Sequence, residues 1–163
     1  MTPVMRAVRL FFRWLGATAF WSFVICVLWV LVLRFLPPPV TWVMVQQANE
    51  QGSVQREWAS LRAMSRDMPL AVIASEDQRF LHHHGFAWKA IREAMAYNTR
   101  RKGKRVKGAS TISQQTAKNV FCWPGRNFVR KGVEAGFTVL IEALWSKERI
   151  VEVYLNVAET GKG

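Results

Sequence analysis

Acids, a cation and imidazoles crowd into one stretch, Glu76-Asp77-Gln78-Arg79-Phe80-Leu81-His82-His83-His84-Gly85-Phe86, which holds all three histidines of the chain. Three chemistries are open to it: metal ligation, acid–base catalysis, or an ordinary polar turn. Adjacent histidines project in different directions from a helix or strand. Chelation from one element uses i,i+4 spacing instead, and no further histidine stands elsewhere to complete a site. No metal ligand is therefore assigned; one histidine is expected to hydrogen-bond within the turn and the others to be solvated. Glu76 is the candidate proton-transfer group. It closes the apolar run Leu70-Ala71-Val72-Ile73-Ala74, which reads as fully buried. Desolvation and the negative end of the helix dipole both favour the protonated carboxyl, which suits a group that moves protons. The alternative is a simple ion pair with Arg79.

Two more stretches carry chemistry. Gly108-Ala109-Ser110-Thr111-Ile112-Ser113-Gln114-Gln115-Thr116-Ala117-Lys118-Asn119 starts with a glycine and opens a helix. Its first amides and hydroxyls can hold an anion or sugar hydroxyls, and Gln114 and Lys118, four apart, share a face. A capped surface helix is the plainer reading, and Thr111-x-x-Gln114 is a capping-box pattern. Further on, Arg130-Lys131-x-x-Glu134 sets Arg130 and Glu134 at i,i+4, on the edge of the Val133/Phe137/Leu140 stripe, where a cleft wall would lie. Its plainer reading is an exposed ion pair of about 0.3–0.5 kcal/mol.

These residues need elements to position them. The chain has 163 residues, 50% of them hydrophobic, with 23 Lys+Arg against 11 Asp+Glu and a net charge of +12. That excludes a disordered basic tail and points to an anionic partner: nucleic acid, a membrane surface or a phosphorylated ligand. Trp14 to Leu33 is twenty residues without a charge, the length of one bilayer-spanning helix. Arg6, Arg9 and Arg13 precede it and only Arg34 follows closely. The positive-inside rule then keeps the N-terminus in the cytoplasm and puts the rest outside, away from nucleic acid. Pro37-Pro38-Pro39 ends the span as a stiff spacer. Val40, Trp42, Val43 and Met44 either dip into the membrane interface or pack on the domain. Cys26 and Cys122 imply no disulfide framework.

Past Asp67, a plausible cap with Pro69 in the first turn, the pattern is helix after helix. Trp88, Ile91 and Met95 recur at helical spacing. A helix from Thr111 runs to about Phe121. Val133, Phe137, Leu140 and Leu144 mark another, and Ser146 caps a last one bearing Ile150, Val151, Tyr154 and Leu155. No strand alternation and no repeat is found. The fold class is mainly α: residues 1–13 a basic N-terminus, 14–34 a transmembrane helix, 35–66 a Pro-rich spacer and membrane-proximal segment, and 67–163 a helical domain.

Four ordered motifs resemble the monofunctional biosynthetic peptidoglycan transglycosylases, a lysozyme-like glycosyltransferase family also found in the front half of bifunctional penicillin-binding proteins. E-D-x-x-F-x-x-H-x-G falls on Glu76, Asp77, Phe80, His83 and Gly85. G-A-S-T-I-[ST]-Q-Q runs from Gly108 to Gln115, followed by Lys118-Asn119. R-K-x-x-E is Arg130-Lys131-x-x-Glu134. The fourth, K-x-x-I-x-E-x-Y-L-N, falls on Lys147, Ile150, Glu152, Tyr154, Leu155 and Asn156. Ala87 stands where members often have Asp, and Val133 where many have Lys. The resemblance implies further helices beyond Gly163, so that 67–163 is a partial domain.

The resemblance also implies an activity: polymerisation of lipid II into β-1,4-linked glycan strands, with release of polyprenyl diphosphate, by an inverting transfer at the outer face of the cytoplasmic (inner) membrane. It makes Glu76 the general base and Glu134 the second acid, orienting cations or a metal. Substrate binding is implied for Asp77, Phe80, His83, Ser110, Thr111, Gln114, Gln115, Lys118, Asn119, Arg126, Arg130 and Lys131, with Lys118, Arg126, Arg130 and Lys131 on the pyrophosphate. No cofactor is required, and a divalent cation, magnesium or manganese, is compatible with the pyrophosphate. The partners implied are lipid II, the growing glycan, the membrane and other cell-wall synthesis and division proteins. The basic run Arg100 to Lys107 is either a loop that meets head groups or pyrophosphate, or a solvated loop. Two other readings stay open: a lysozyme-like muramidase activating water with a carboxylate pair, and an inactive membrane-bound cell-wall partner.

Overall fold

The computed structural model describes residues 3–42, 44, 45, 48, 57–100 and 107–158. Most of the basic run from Arg100 to Lys107, and the last five residues, lie outside the described residues. The chain divides into two compact units, Met1–Leu36 and Pro37–Gly163.

The first unit is one helix, α1 (Pro3–Leu33). Its stretch Val4–Leu33 is long and apolar enough to cross a membrane, with a mean hydropathy of 2.3 over an 18-residue window. α1 starts well before Trp14 and takes in Arg6, Arg9 and Arg13. At about 1.5 Å per residue it exceeds the ~30 Å of a hydrocarbon core, so the arginine turns need not enter it. The helix stops beside Arg34, as the prolines dictate.

The second unit is helical, with no strand among its described residues. Its described helices include α2 (Asp67–Glu76), α3 (Trp88–Arg100), α4 (Ile112–Phe121), α5 (Phe128–Leu144) and α6 (Lys147–Val157). Short 3-10 turns occupy Leu61–Ala63 and Phe80–His82. α4 is the hub and packs on both α5 and α6. Ile112, Ala117, Ile141, Ile150 and Val153 are buried there, and Phe121 stacks flat on Phe137 with centroids 4.3 Å apart. Two of the three capping expectations hold. Thr111 and Gln114 form a full capping box, and the Ser146 side chain accepts from the Arg149 amide. Asp67 is the first residue of α2, not its cap.

Three expectations about faces do not hold. α2 has no buried residue, and Leu70 is 64% exposed. A helix packed mainly against one neighbour, here α6, buries one face, so a continuous apolar run cannot all go inside. Val72 and Ile73 are half-buried while Leu70, Ala71 and Ala74 are exposed. On α3 the buried residue is Ala94, and Trp88 and Met95 are exposed. On α5 the buried line is Glu134, Thr138 and Ile141. Glu134 therefore sits in the middle of the packed face, not on the edge of the apolar stripe.

The fourth motif fastens the chain that precedes α2. Asn156 donates to the Ala59 carbonyl (2.9 Å) and accepts from its amide (3.0 Å). Glu152 accepts from the Leu61 amide at 3.1 Å and pairs with Arg149 at 2.8 Å.

Candidate active site

Asp77 is the pivot of the first motif. Its carboxylate accepts from His83 Nε2 (2.9 and 3.0 Å) and from the Ile112 amide at the start of α4 (3.2 Å). A carboxylate there satisfies a helix amide that has no partner within the helix, and it lies at the positive end of the dipole. Thr111 donates to the Gly85 carbonyl at 2.6 Å. Lys147 donates to the His83 carbonyl at 2.8 Å, pairs with Glu142 at 2.8 Å, and lies 4.3 Å above the Phe80 ring. Glu142 in turn accepts from Ser113. Gly85 has φ +85°, and a Cβ there would stand 2.7 Å from Thr138 Cγ2. The turn is thus fixed to α4, α5 and α6 together. His82 and His84 are exposed, which leaves His83 as the histidine that bonds within the turn.

This frame presents Glu76. The expected desolvation does not occur, because Glu76 is exposed. The expected Arg79 pairing is replaced by a hydrogen bond from Gln115 Nε2 to Glu76 Oε2, 2.9 Å long. Glu76 opens on a cavity of about 650 Å³ that also takes in Asp77, His83, Ser110 and Thr111, with Arg79, Lys89, Glu93 and Lys107 around it. Ala87 lies on the wall of this cavity.

A second cavity, about 680 Å³, gathers Lys118, Asn119, Arg126 and Arg130, with Gln115 and Tyr154 on its wall and Trp42 and Trp123 at its edge. Behind Arg130 stands Glu134. It accepts from Arg130 at 3.0 Å and from Lys131, and its side chain is 3% exposed against 12% for Arg130 and 49% for Lys131. This is not the exposed ion pair of the plainer reading. Burial, and then the Glu134 charge, push the Cys122 thiol on the same wall up to about 11.

The structure therefore divides the sequence candidates. Glu76 and Ser110 reach solvent in the first cavity. Gln115, Lys118, Arg126 and Arg130 line the second. Asp77, Phe80, His83, Thr111, Gln114 and Asn119 are wholly or largely buried and hold elements together; Gln114 closes the capping box, and Asn119 donates to the Val157 carbonyl at 3.4 Å. Gln114 and Lys118 do not share a surface, since one is buried and the other exposed. Among the described residues no three His, Cys, Asp or Glu side chains converge on a metal position, and both Glu134 oxygens already face cations. The residues present do not fit a protein-held metal, so no step is routed through one. The sequence does not mark Tyr154, Trp42 or Trp123 as site residues: Tyr154 stands in the fourth motif, but helical spacing gives it only a core role.

The chain is similar to known proteins over most of its length. The transglycosylase family model matches residues 43–163. A biosynthetic peptidoglycan transglycosylase of Pseudomonas putida is 50% identical over 157 residues, covering 93% of this chain and 66% of that protein. That of Pseudomonas aeruginosa is 49% identical over 161 residues, 95% of this chain and 68% of the relative. The one from Shewanella oneidensis is 47% identical over 163 residues, 98% and 69%. The chain belongs to the transglycosylase family, and it spans about two thirds of the length of these relatives.

Proposed function

We propose that the protein is a membrane-anchored peptidoglycan glycosyltransferase that extends glycan strands from a disaccharide–peptide carried on a polyprenyl diphosphate. One observation carries the reading: the Gln115 side chain holds the exposed Glu76 carboxylate and also lines the cavity that collects Lys118, Arg126 and Arg130. A base and a cation cluster joined by one side chain suit a substitution with a weak nucleophile and a highly charged leaving group.

Glu76 takes the proton of the acceptor's 4-hydroxyl as its oxygen bonds to the anomeric carbon of the donor. The bond from that carbon to the diphosphate breaks with inversion. The negative charge passes to the leaving diphosphate, where Lys118, Arg126 and Arg130 neutralise it. Glu134 fixes Arg130 and Lys131 from behind. A muramidase has less support, because a Glu134 whose oxygens are spent on two cations is not free to activate water. Labelled lipid II incubated with the purified chain is expected to yield polymer. Cleavage of preformed glycan would favour the muramidase, and absence of any product an inactive partner.

α1 is read as the anchor, with its arginine-bearing end in the cytoplasm and the second unit outside, at the leaflet where lipid-linked substrate is consumed. Alkaline phosphatase fused after Gly163 is expected to be active in a bacterial host. An active cytoplasmic reporter at that junction would reverse the orientation.

A further inference from the structure

We propose that Tyr154 is a positioning residue for the Glu76 carboxylate, acting through the Gln115 amide. The inference rests on Glu76 being the base. Tyr154 lies on the buried face of α6, and its hydroxyl donates to Gln115 Oε1 at 3.5 Å. The other end of the same amide donates to Glu76 at 2.9 Å. A phenol offers a proton and a carboxylate only accepts one. Just one of the two amide orientations satisfies both partners: oxygen to Tyr154, nitrogen to Glu76. The carboxylate and the phenol favour the same orientation, and the phenol anchors the oxygen end of the amide so that its nitrogen end stays directed at Glu76.

Register supports the relay. Asn119, one turn beyond Gln115 on α4, bonds to the carbonyl of Val157, three residues beyond Tyr154 on α6. Two contacts in step hold the helices so that Gln115 cannot slide away from the phenol. Burial, and then the Glu76 charge, raise the Tyr154 phenol above the ordinary tyrosine value. Burial is the larger of the two causes, and the Glu76 charge adds to it in the same direction. Tyr154 moves no proton in the reaction; it limits the directions in which Glu76 can point.

The first test needs no turnover. The chain has two tyrosines, so in a Tyr97→Phe background ultraviolet difference absorption reports Tyr154 alone. Its titration is expected above the ordinary tyrosine range. Glu76→Gln should bring it down by removing a negative charge, and Gln115→Met by removing the acceptor that favours the protonated phenol. A phenol that moves in neither variant overturns the proposal. With labelled lipid II, Tyr154→Phe is expected to lower kcat about tenfold, as for a lost hydrogen bond near a charge, with KM held within about twofold. In a Gln115→Met background the same change should do nothing further. An equal loss in both backgrounds would give Tyr154 a role in the fold alone and overturn the relay. Normal polymerisation by Glu76→Gln would sink the base assignment itself. An inert Glu76→Gln beside a fully active Tyr154→Phe would sink only the relay.

Discussion

Glu76→Gln is expected to cut polymerisation of lipid II by about 10²–10⁴-fold, the usual share of general acid–base catalysis. The amide keeps the shape of the side chain and still offers an oxygen to Gln115 Nε2, now 2.9 Å from Glu76 Oε2. It cannot take the acceptor's proton. The fold should be indifferent, because Glu76 is exposed while its neighbour Asp77, which ties the turn to α4, is untouched. Lipid II affinity should change little, because the diphosphate is assigned to Lys118, Arg126 and Arg130 in the other cavity. The contrasting change is Asp77→Asn. It weakens the hold on His83 and on the Ile112 amide, and it should lower stability and activity together. Near-normal polymerisation by a folded Glu76→Gln protein would remove Glu76 as the base.

Glu134→Ala is expected to destabilise the domain by about 3–5 kcal/mol, the range for breaking a buried ion pair from one side. The carboxylate is 3% exposed and accepts from Arg130 and Lys131. Removing it leaves the Arg130 guanidinium, itself only 12% exposed, buried without its counter-charge. Lys131, 49% exposed, can turn to water, so the lower half of the range is the better expectation. Urea unfolding should show a lower midpoint at unchanged slope. A loss below about 1 kcal/mol would put the cluster with surface pairs. Glu134→Gln separates fold from chemistry. Removing one negative charge beside the cations should leave affinity for the diphosphate equal or tighter, while the displaced guanidinium slows turnover. Weaker binding with unchanged turnover would contradict the role of Glu134 as the brace of Arg130.

The sequence by itself determined the helical class of the chain and the places where most of its helices start or stop. The prolines after Arg34 set the end of α1 and the charge-free run marks its apolar part, because a bilayer-length apolar stretch and three prolines leave few alternatives; its start at Pro3 lies before that run. Thr111 with Gln114, and Ser146, set the starts of α4 and α6, because caps are local chemistry between residues three apart. The spacing of the three histidines argued against chelation and left one of them to bond within the turn.

Tertiary structure decided which faces are covered and which side chains are left for chemistry. Leu70 to Ala74 reads as buried because apolar residues prefer burial, yet how much of a helix is covered depends on how closely its neighbours pack, and α2 meets chiefly α6. Glu134 reads as an edge residue because a glutamate interrupts an apolar stripe. Only the packing of α5 shows it inside, where two cations make the burial tolerable. Asp77 and Glu76 are adjacent and alike in sequence. One is buried as an anchor and the other exposed as a candidate base, because α2 ends between them and the chain turns toward α4. The Tyr154–Gln115–Glu76 chain joins α6, α4 and α2 across 78 positions of sequence. No local spacing encodes such a contact; it exists because α4 packs on α6 in one register, while the anchored turn after α2 holds Glu76 within reach of Gln115.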